Sequence, residues 1–206
     1  MLDQIFQGVL DGETPIVQAE IKKALEGGIS PLEIINEGLI KAMDEVGRRM
    51  KNGDMFMPEV LVAAETMKQG LALVKPLLEE GSYQSLGKVV IGTVAGDLHD
   101  IGKNLVAMLL ESSGFEVIDL GVDVSLEQFL AAVEEHKPQL VGLSALLTTT
   151  MASMRDTVKA LSEKAPGVKT MVGGAPVNQE FAREIGAGGY APDGAAAVEL
   201  AKSLID

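Results

Sequence analysis

Asp97-Leu98-His99-Asp100-Ile101-Gly102 places one of only two histidines in this 206-residue chain between two carboxylates. On extended backbone, residues two apart point the same way. Asp97 can therefore accept a proton from one ring nitrogen of His99 and leave the other nitrogen free for a metal. Such a pair fixes the tautomer and strengthens the ligand. A capping Asp beside a surface His has the same spelling, so the pair alone leaves both readings open. Cysteine is absent, and His99 is the only nitrogen ligand among the motifs below. A free zinc ion wants three or four protein ligands. One histidine suffices if the metal arrives already held in a macrocycle.

Gly96 to Lys103 invites comparison with a phosphate-binding loop, but the spacing fails. That motif needs four residues between its first glycine and the Gly-Lys pair, followed by Ser or Thr. Here five residues separate Gly96 from Gly102-Lys103, and Asn104 follows. Asp97 and Asp100 would also face the phosphates. No G-x-G-x-x-G occurs, so a dinucleotide fingerprint is missing too.

The elements that must position this loop are legible in the periodicity. Leu2 to Glu80 reads as four amphipathic helices with short connections, an antiparallel bundle. The breaks fall at Asp11-Gly12, Gly27-Gly28 and Lys51-Asn52-Gly53-Asp54. Ser30-Pro31 with Glu33 reads as a capping box. Glu80 to Gly87 is polar and reads as a linker. From Lys88 the period changes. Val89 to Val94 is a β-branched run, as in a strand buried on both faces. Further strands are expected at Phe115–Gly121, Gln139–Leu143, Val168–Val172 and Gly189–Ala191, alternating with helices. The expected architecture is α plus α/β: a four-helix bundle over 1–82, then a flavodoxin-like (Rossmann-like) parallel-sheet domain over 88–206.

Position then bears on function. Asp97–Gly102, Ser144–Thr150 and Gly173-Gly174 all follow carboxyl ends of expected strands, the edge where open α/β sheets bind ligands. Each has an ordinary explanation beside the functional one. Ser144 and Thr148–Thr150 can be helix caps, and Gly173-Gly174 a tight turn or a place where a ligand meets the backbone. His136, at a helix end before Lys137-Pro138, reads as structural. In the helical half, Met55-Phe56-Met57 are consecutive and apolar. They cannot all face one core, so at least one is available to cover something else.

Composition narrows the classes. The formal net charge of −13 (17 basic, 30 acidic) opposes nucleic-acid binding. Apolar residues make up 47%, which argues against disorder. No apolar run reaches the ~18 residues of a membrane span, and the opening residues do not read as a signal peptide. A cytoplasmic protein is expected.

Together these residues resemble a known family. Asp97-Leu98-His99-Asp100-Ile101-Gly102 matches the D-x-H-x-x-G motif of cobalamin-binding domains, Ser144-Ala145-Leu146 their S-x-L, and Gly173-Gly174 their G-G. The helical half, with MFMPEVLVAA, resembles the cap of cobalamin-dependent methionine synthase. It is still more similar to the small corrinoid proteins of methanogenic and acetogenic methyltransferase systems. The resemblance implies that His99 replaces the displaced benzimidazole base as the lower ligand of cobalt, and that Asp97 holds His99. Thr150 would stand where methionine synthase has a relay serine. Ser144 would contact the displaced base and Leu146 line its slot. Gly102, Gly173 and Gly174 would make room for the nucleotide tail, and Phe56 would cover the methyl-bearing face.

The function so implied is a methyl carrier. Cobalamin or a related corrinoid would alternate between its methylcobalamin and cob(I)alamin forms. The partners would be a substrate:corrinoid methyltransferase, a second methyltransferase passing the methyl group to tetrahydrofolate or coenzyme M, and a reductive activase. No separate catalytic residue is expected. The donor stays open among methylamines, methanol, betaines and methoxylated aromatics. Rival readings are a cobalamin-dependent sensor, which would want a basic output surface, and a mutase subunit, which leaves the bundle unexplained.

Overall fold

The structure is a computed structural model that describes residues 1–78 and 85–205. The chain divides into two compact units, Met1–Gln84 with Ser112–Gly114, and Ser85–Glu111 with Phe115–Asp206. Residues 80–84 of the stretch read as a linker lie outside the described residues.

The first unit is helical. Helices span Leu2–Leu10 and Thr14–Glu26. A third runs over residues 31–52: α-helical at Pro31–Glu33, π-helical at Ile34–Ile40 and α-helical again at Lys41–Asn52. The fourth is Met57–Val74, finished by a 3₁₀ turn at Lys75–Leu77. The π-helical turn follows from the pattern of apolar residues. Ile34, Gly38, Ala42 and Val46 are all buried, as are Ile35, Leu39 and Met43. A period of four drifts off the face of a 3.6-residue helix, and a wider turn corrects the drift. Ser30 Oγ accepts from the Glu33 amide, so the serine half of the expected box is present. Thr14 begins its helix, with Glu13 in the flanking position and Pro15 in the first turn. The helices pack closely at Gly70, where a Cβ would lie 3.0–3.2 Å from Leu39, Ile21 and Val17 side chains.

The second unit is a five-stranded parallel sheet. Its strands are β1 (Lys88–Thr93), β2 (Glu116–Asp119), β3 (Leu140–Ser144), β4 (Lys169–Gly173) and β5 (Gly189–Tyr190), in the order β2-β1-β3-β4-β5. Successive strand residues go to opposite faces. Val90, Val141 and Val172 join one core with Phe129, Met154 and Leu161. Val89, Leu140 and Met171 join the other with Leu110, Ala197 and Ala201. Helices therefore cover both faces, as a parallel sheet requires. From β1 the chain passes to β2 on one side, and β3 lies on the other side of β1. The carboxyl ends of β1 and β3 thus flank the switch in strand order. Among the described residues no helix is long and apolar enough to cross a membrane.

Candidate functional site

Register brings the pieces together. Thr93, the last residue of β1, pairs with Ser144, and Ser144 with Gly173. The ladder continues one step into the loops, with the Val94 amide on the Ser144 carbonyl and the Ala145 amide on that of Gly173. Three segments far apart in sequence leave the sheet side by side.

Asp97 is the hub. Its side chain is fully buried and accepts five hydrogen bonds. Oδ1 takes the His99 amide at 3.1 Å and His99 Nδ1 at 2.7 Å. Oδ2 takes the Leu146 amide at 2.7 Å, the Leu147 amide at 3.2 Å and the Thr150 hydroxyl at 2.8 Å. Burial by itself would push this carboxyl up. The Leu146 amide, the His99 ring, the Thr150 hydroxyl and the His99 amide together outweigh it and hold the group well below the usual carboxylate range. An ionised carboxylate only accepts, so the proton between it and the ring sits on Nδ1. In a neutral imidazole the lone pair then belongs to Nε2, on a side chain that is 51% exposed. Thr150 Oγ1 also lies 2.9 Å from the Leu147 carbonyl. Its single proton goes to the charged acceptor, the stronger bond.

The three glycines differ. At Gly174 (φ +116°) a Cβ would fall 1.9 Å from the Ala145 carbonyl oxygen, and at Gly173 3.0 Å from that of Ala191. The protein's own backbone uses that space. At Gly102 a Cβ would meet nothing within 4 Å, so there the missing side chain leaves open room. Around it the apolar side chains are bare: Leu98 and Ile101 are exposed, as are Leu146 and Leu147. Phe56 belongs to the helical unit, where it precedes the Met57–Val74 helix. Glu59 Oε2 accepts its amide proton. Its ring is 69% exposed, while Met55 beside it is buried.

Several neighbours of the loop were not anticipated. Lys103 turns inward rather than toward open space. Its buried ammonium binds Asp119 Oδ2 at the end of β2 and Asn104 Oδ1. Asp100 accepts from the Asn104 side chain. Leu147 contributes through its amide, for which residue type carries no signal. Leu98 and Ile101 could have been found as apolar residues in an otherwise polar loop. Among the described residues no group of three or more His, Cys, Asp or Glu could hold a bare metal ion.

Comparison with known proteins agrees with this geometry. A family model described as a B12 binding domain matches residues 87–199, and a second of the same description matches residues 1–75. A corrinoid protein of Desulfitobacterium hafniense (strain Y51) is 40% identical over all of this chain and 97% of its own length. The dimethylamine corrinoid protein 1 of Methanosarcina acetivorans is 42% identical, over 100% of this chain and 97% of its own. Among solved structures, the methanol:cobalamin methyltransferase complex MtaBC from Methanosarcina barkeri contains a chain with TM-score 0.89 and 34% identity. The match covers 99% of this chain and 79% of that one.

Proposed function

The chain belongs to the B12-binding corrinoid proteins, the methyl carriers of methyltransferase systems, and from that premise we propose that His99 is the protein ligand to the cobalt of its corrinoid. The observation that carries this reading is the His99 ring. Asp97 fixes its Nδ1 proton, and the unprotonated Nε2 is presented on an exposed side chain. The rest of the site fits the group. A lone imidazole suits a metal whose other positions are already filled by a macrocycle. Leu98, Ile101, Leu146 and Leu147 supply bare apolar surface, and Gly102 supplies open room. When bound, the corrinoid supplies a cobalt able to take up and give up a methyl group.

The chain's own residues tune and hold. Asp97 keeps His99 in one tautomer and can share more or less of the Nδ1 proton, so the imidazole can bind strongly or weakly. Thr150, donating to the other oxygen of Asp97, adjusts that sharing. Ser144 and Leu146 would receive the displaced base. Gly173 and Gly174 pack against the backbone of Ala191 and Ala145 and would shape the edge at the ends of β3 and β4 rather than leave room for the tail. Phe56, in the helical unit, would cover the reactive face; the helical domain is taken as 1–82 and the sheet domain as 88–206. The partner would be a methyltransferase that recognises a small methylated donor, such as methanol or a methylamine, with a second enzyme carrying the methyl group to tetrahydrofolate or coenzyme M.

The test is to load the protein with cobalamin and record the paramagnetic cobalt(II) spectrum with ¹⁵N-labelled histidine. Nitrogen coupling that disappears in His99→Ala supports the reading. Coupling that persists in that variant, or no bound cobalamin at all, overturns it.

A further inference from the structure

His99 needs its backbone held as well as its ring, because a ligand displaced by about 1 Å is a poor one. Two residues outside the site motifs do this. Thr93, fully buried at the end of β1, donates its hydroxyl to the His99 carbonyl at 2.8 Å. That bond ties His99 directly to the end of β1, a strand paired on both sides within the sheet. Asp123, in the loop after β2, grips the other side. Its carboxylate accepts the Gly96 amide at 2.7 Å, and its own amide donates to the Asp97 carbonyl at 3.0 Å.

The two are parts of one frame. The Thr93 amide donates to the Gly121 carbonyl, and the Val124 amide to the Thr93 carbonyl, so the 121–124 loop is fastened to the strand that carries Thr93. Asp123 also stands at φ 53°, one of two non-glycine residues with positive φ among the described residues. The other, Lys137, follows the end of a helix, where that conformation is ordinary. Asp123 caps no helix C-terminus. Its left-handed backbone costs free energy and persists only because the surroundings impose it.

We infer that Thr93 and Asp123 are positioning residues that clamp the backbone from Gly96 to His99 and so set the direction of His99 Nε2. The inference rests on the reading of His99 as the cobalt ligand, and its test separates the two. Thr93→Val keeps shape and removes the hydroxyl. Asp123→Gly removes the carboxylate while relieving the left-handed strain, so a merely structural role predicts little change. Thr93→Ser and Asp123→Asn retain the hydrogen-bonding groups and serve as rescues.

The first readout is the Nδ1 proton of His99 in the cobalamin-free protein labelled with ¹⁵N-histidine, assigned with His136→Gln. The second is nitrogen coupling to cobalt(II) in the loaded protein. Loss of both signals in Thr93→Val and Asp123→Gly, with both kept in the rescues, is the expected result. Wild-type signals in Thr93→Val and Asp123→Gly overturn the clamp and leave the proposed function standing. Absence of coupling in the wild type overturns the ligand reading instead, and the Nδ1 proton then still decides whether the clamp exists. Should Thr93→Val not fold, Asp123→Gly, at an exposed position, decides alone.

Discussion

The Thr150 hydroxyl lies 2.8 Å from Oδ2 of Asp97, the oxygen opposite the one that holds the His99 ring. A change at either end of this chain is felt at the other, because both act through one carboxylate. Thr150→Ala removes a hydrogen bond to a buried charge and is expected to cost about 1.5–3 kcal/mol of stability. Thr150→Ser should recover most of it. Denaturant unfolding of the cobalamin-free protein measures both, and equal loss in the two variants would rule out the hydroxyl as the cause.

The glycines make opposite predictions. Gly174→Ala puts a methyl group onto the Ala145 carbonyl at a φ of +116°, and a loss of at least about 3 kcal/mol is expected. Gly102→Ala sits in a helix facing open space. It should stabilise the cobalamin-free protein by up to about 1 kcal/mol and weaken cobalamin binding. Melting temperature and a cobalamin titration, run on the same samples, check the pair.

Lys103 and Asp119 form an unequal ion pair, with side-chain exposures of 1% and 38%. Asp119→Ala strands a buried ammonium and is expected to cost about 3 kcal/mol. Lys103→Met fills the same space and leaves a carboxylate that water reaches, so about 1 kcal/mol is expected. Equal losses in urea unfolding would argue against this ordering.

In the helical unit Glu45 is hydrogen-bonded by Arg48 and by Arg49, which hold its carboxyl down at about 2 from an ordinary 4.5. Below pH 4.5 the unfolded chain takes up this proton before the folded chain does. The stabilisation is therefore full above 4.5, declines as pH falls, and is gone below about 2. The gap in melting temperature between wild type and Glu45→Gln should be constant from pH 7 to 5 and close toward pH 2. A gap that is constant throughout would exclude the ion pair as its origin.

Much of the fold was legible because it is written locally. The change from helical spacing to the β-branched run at Val89 marked the two halves. The strand expected at Gln139–Leu143 appears at Leu140–Ser144. The winding around Ile34–Ile40 was not anticipated, because a regular helix was assumed through its four-residue repeat. The direction of Lys103 was missed for another reason. A lysine in the first turn of a helix is expected in water, and its partner Asp119 belongs to a strand outside the motif.

The sequence by itself put Asp97 and His99 two residues apart on one loop, within reach of each other, and the 2.7 Å bond joins them. It also determined which segments follow the strand ends. Only the tertiary structure decided the state of that pair. The Leu146 and Leu147 amides and the Thr150 hydroxyl come from 49 to 53 residues away, and they reach Asp97 because β1 and β3 are neighbours in the sheet. Burial and hydrogen bonding oppose each other at this carboxylate. Which of them wins depends on how many donors the fold gathers there, and no local pattern encodes that number.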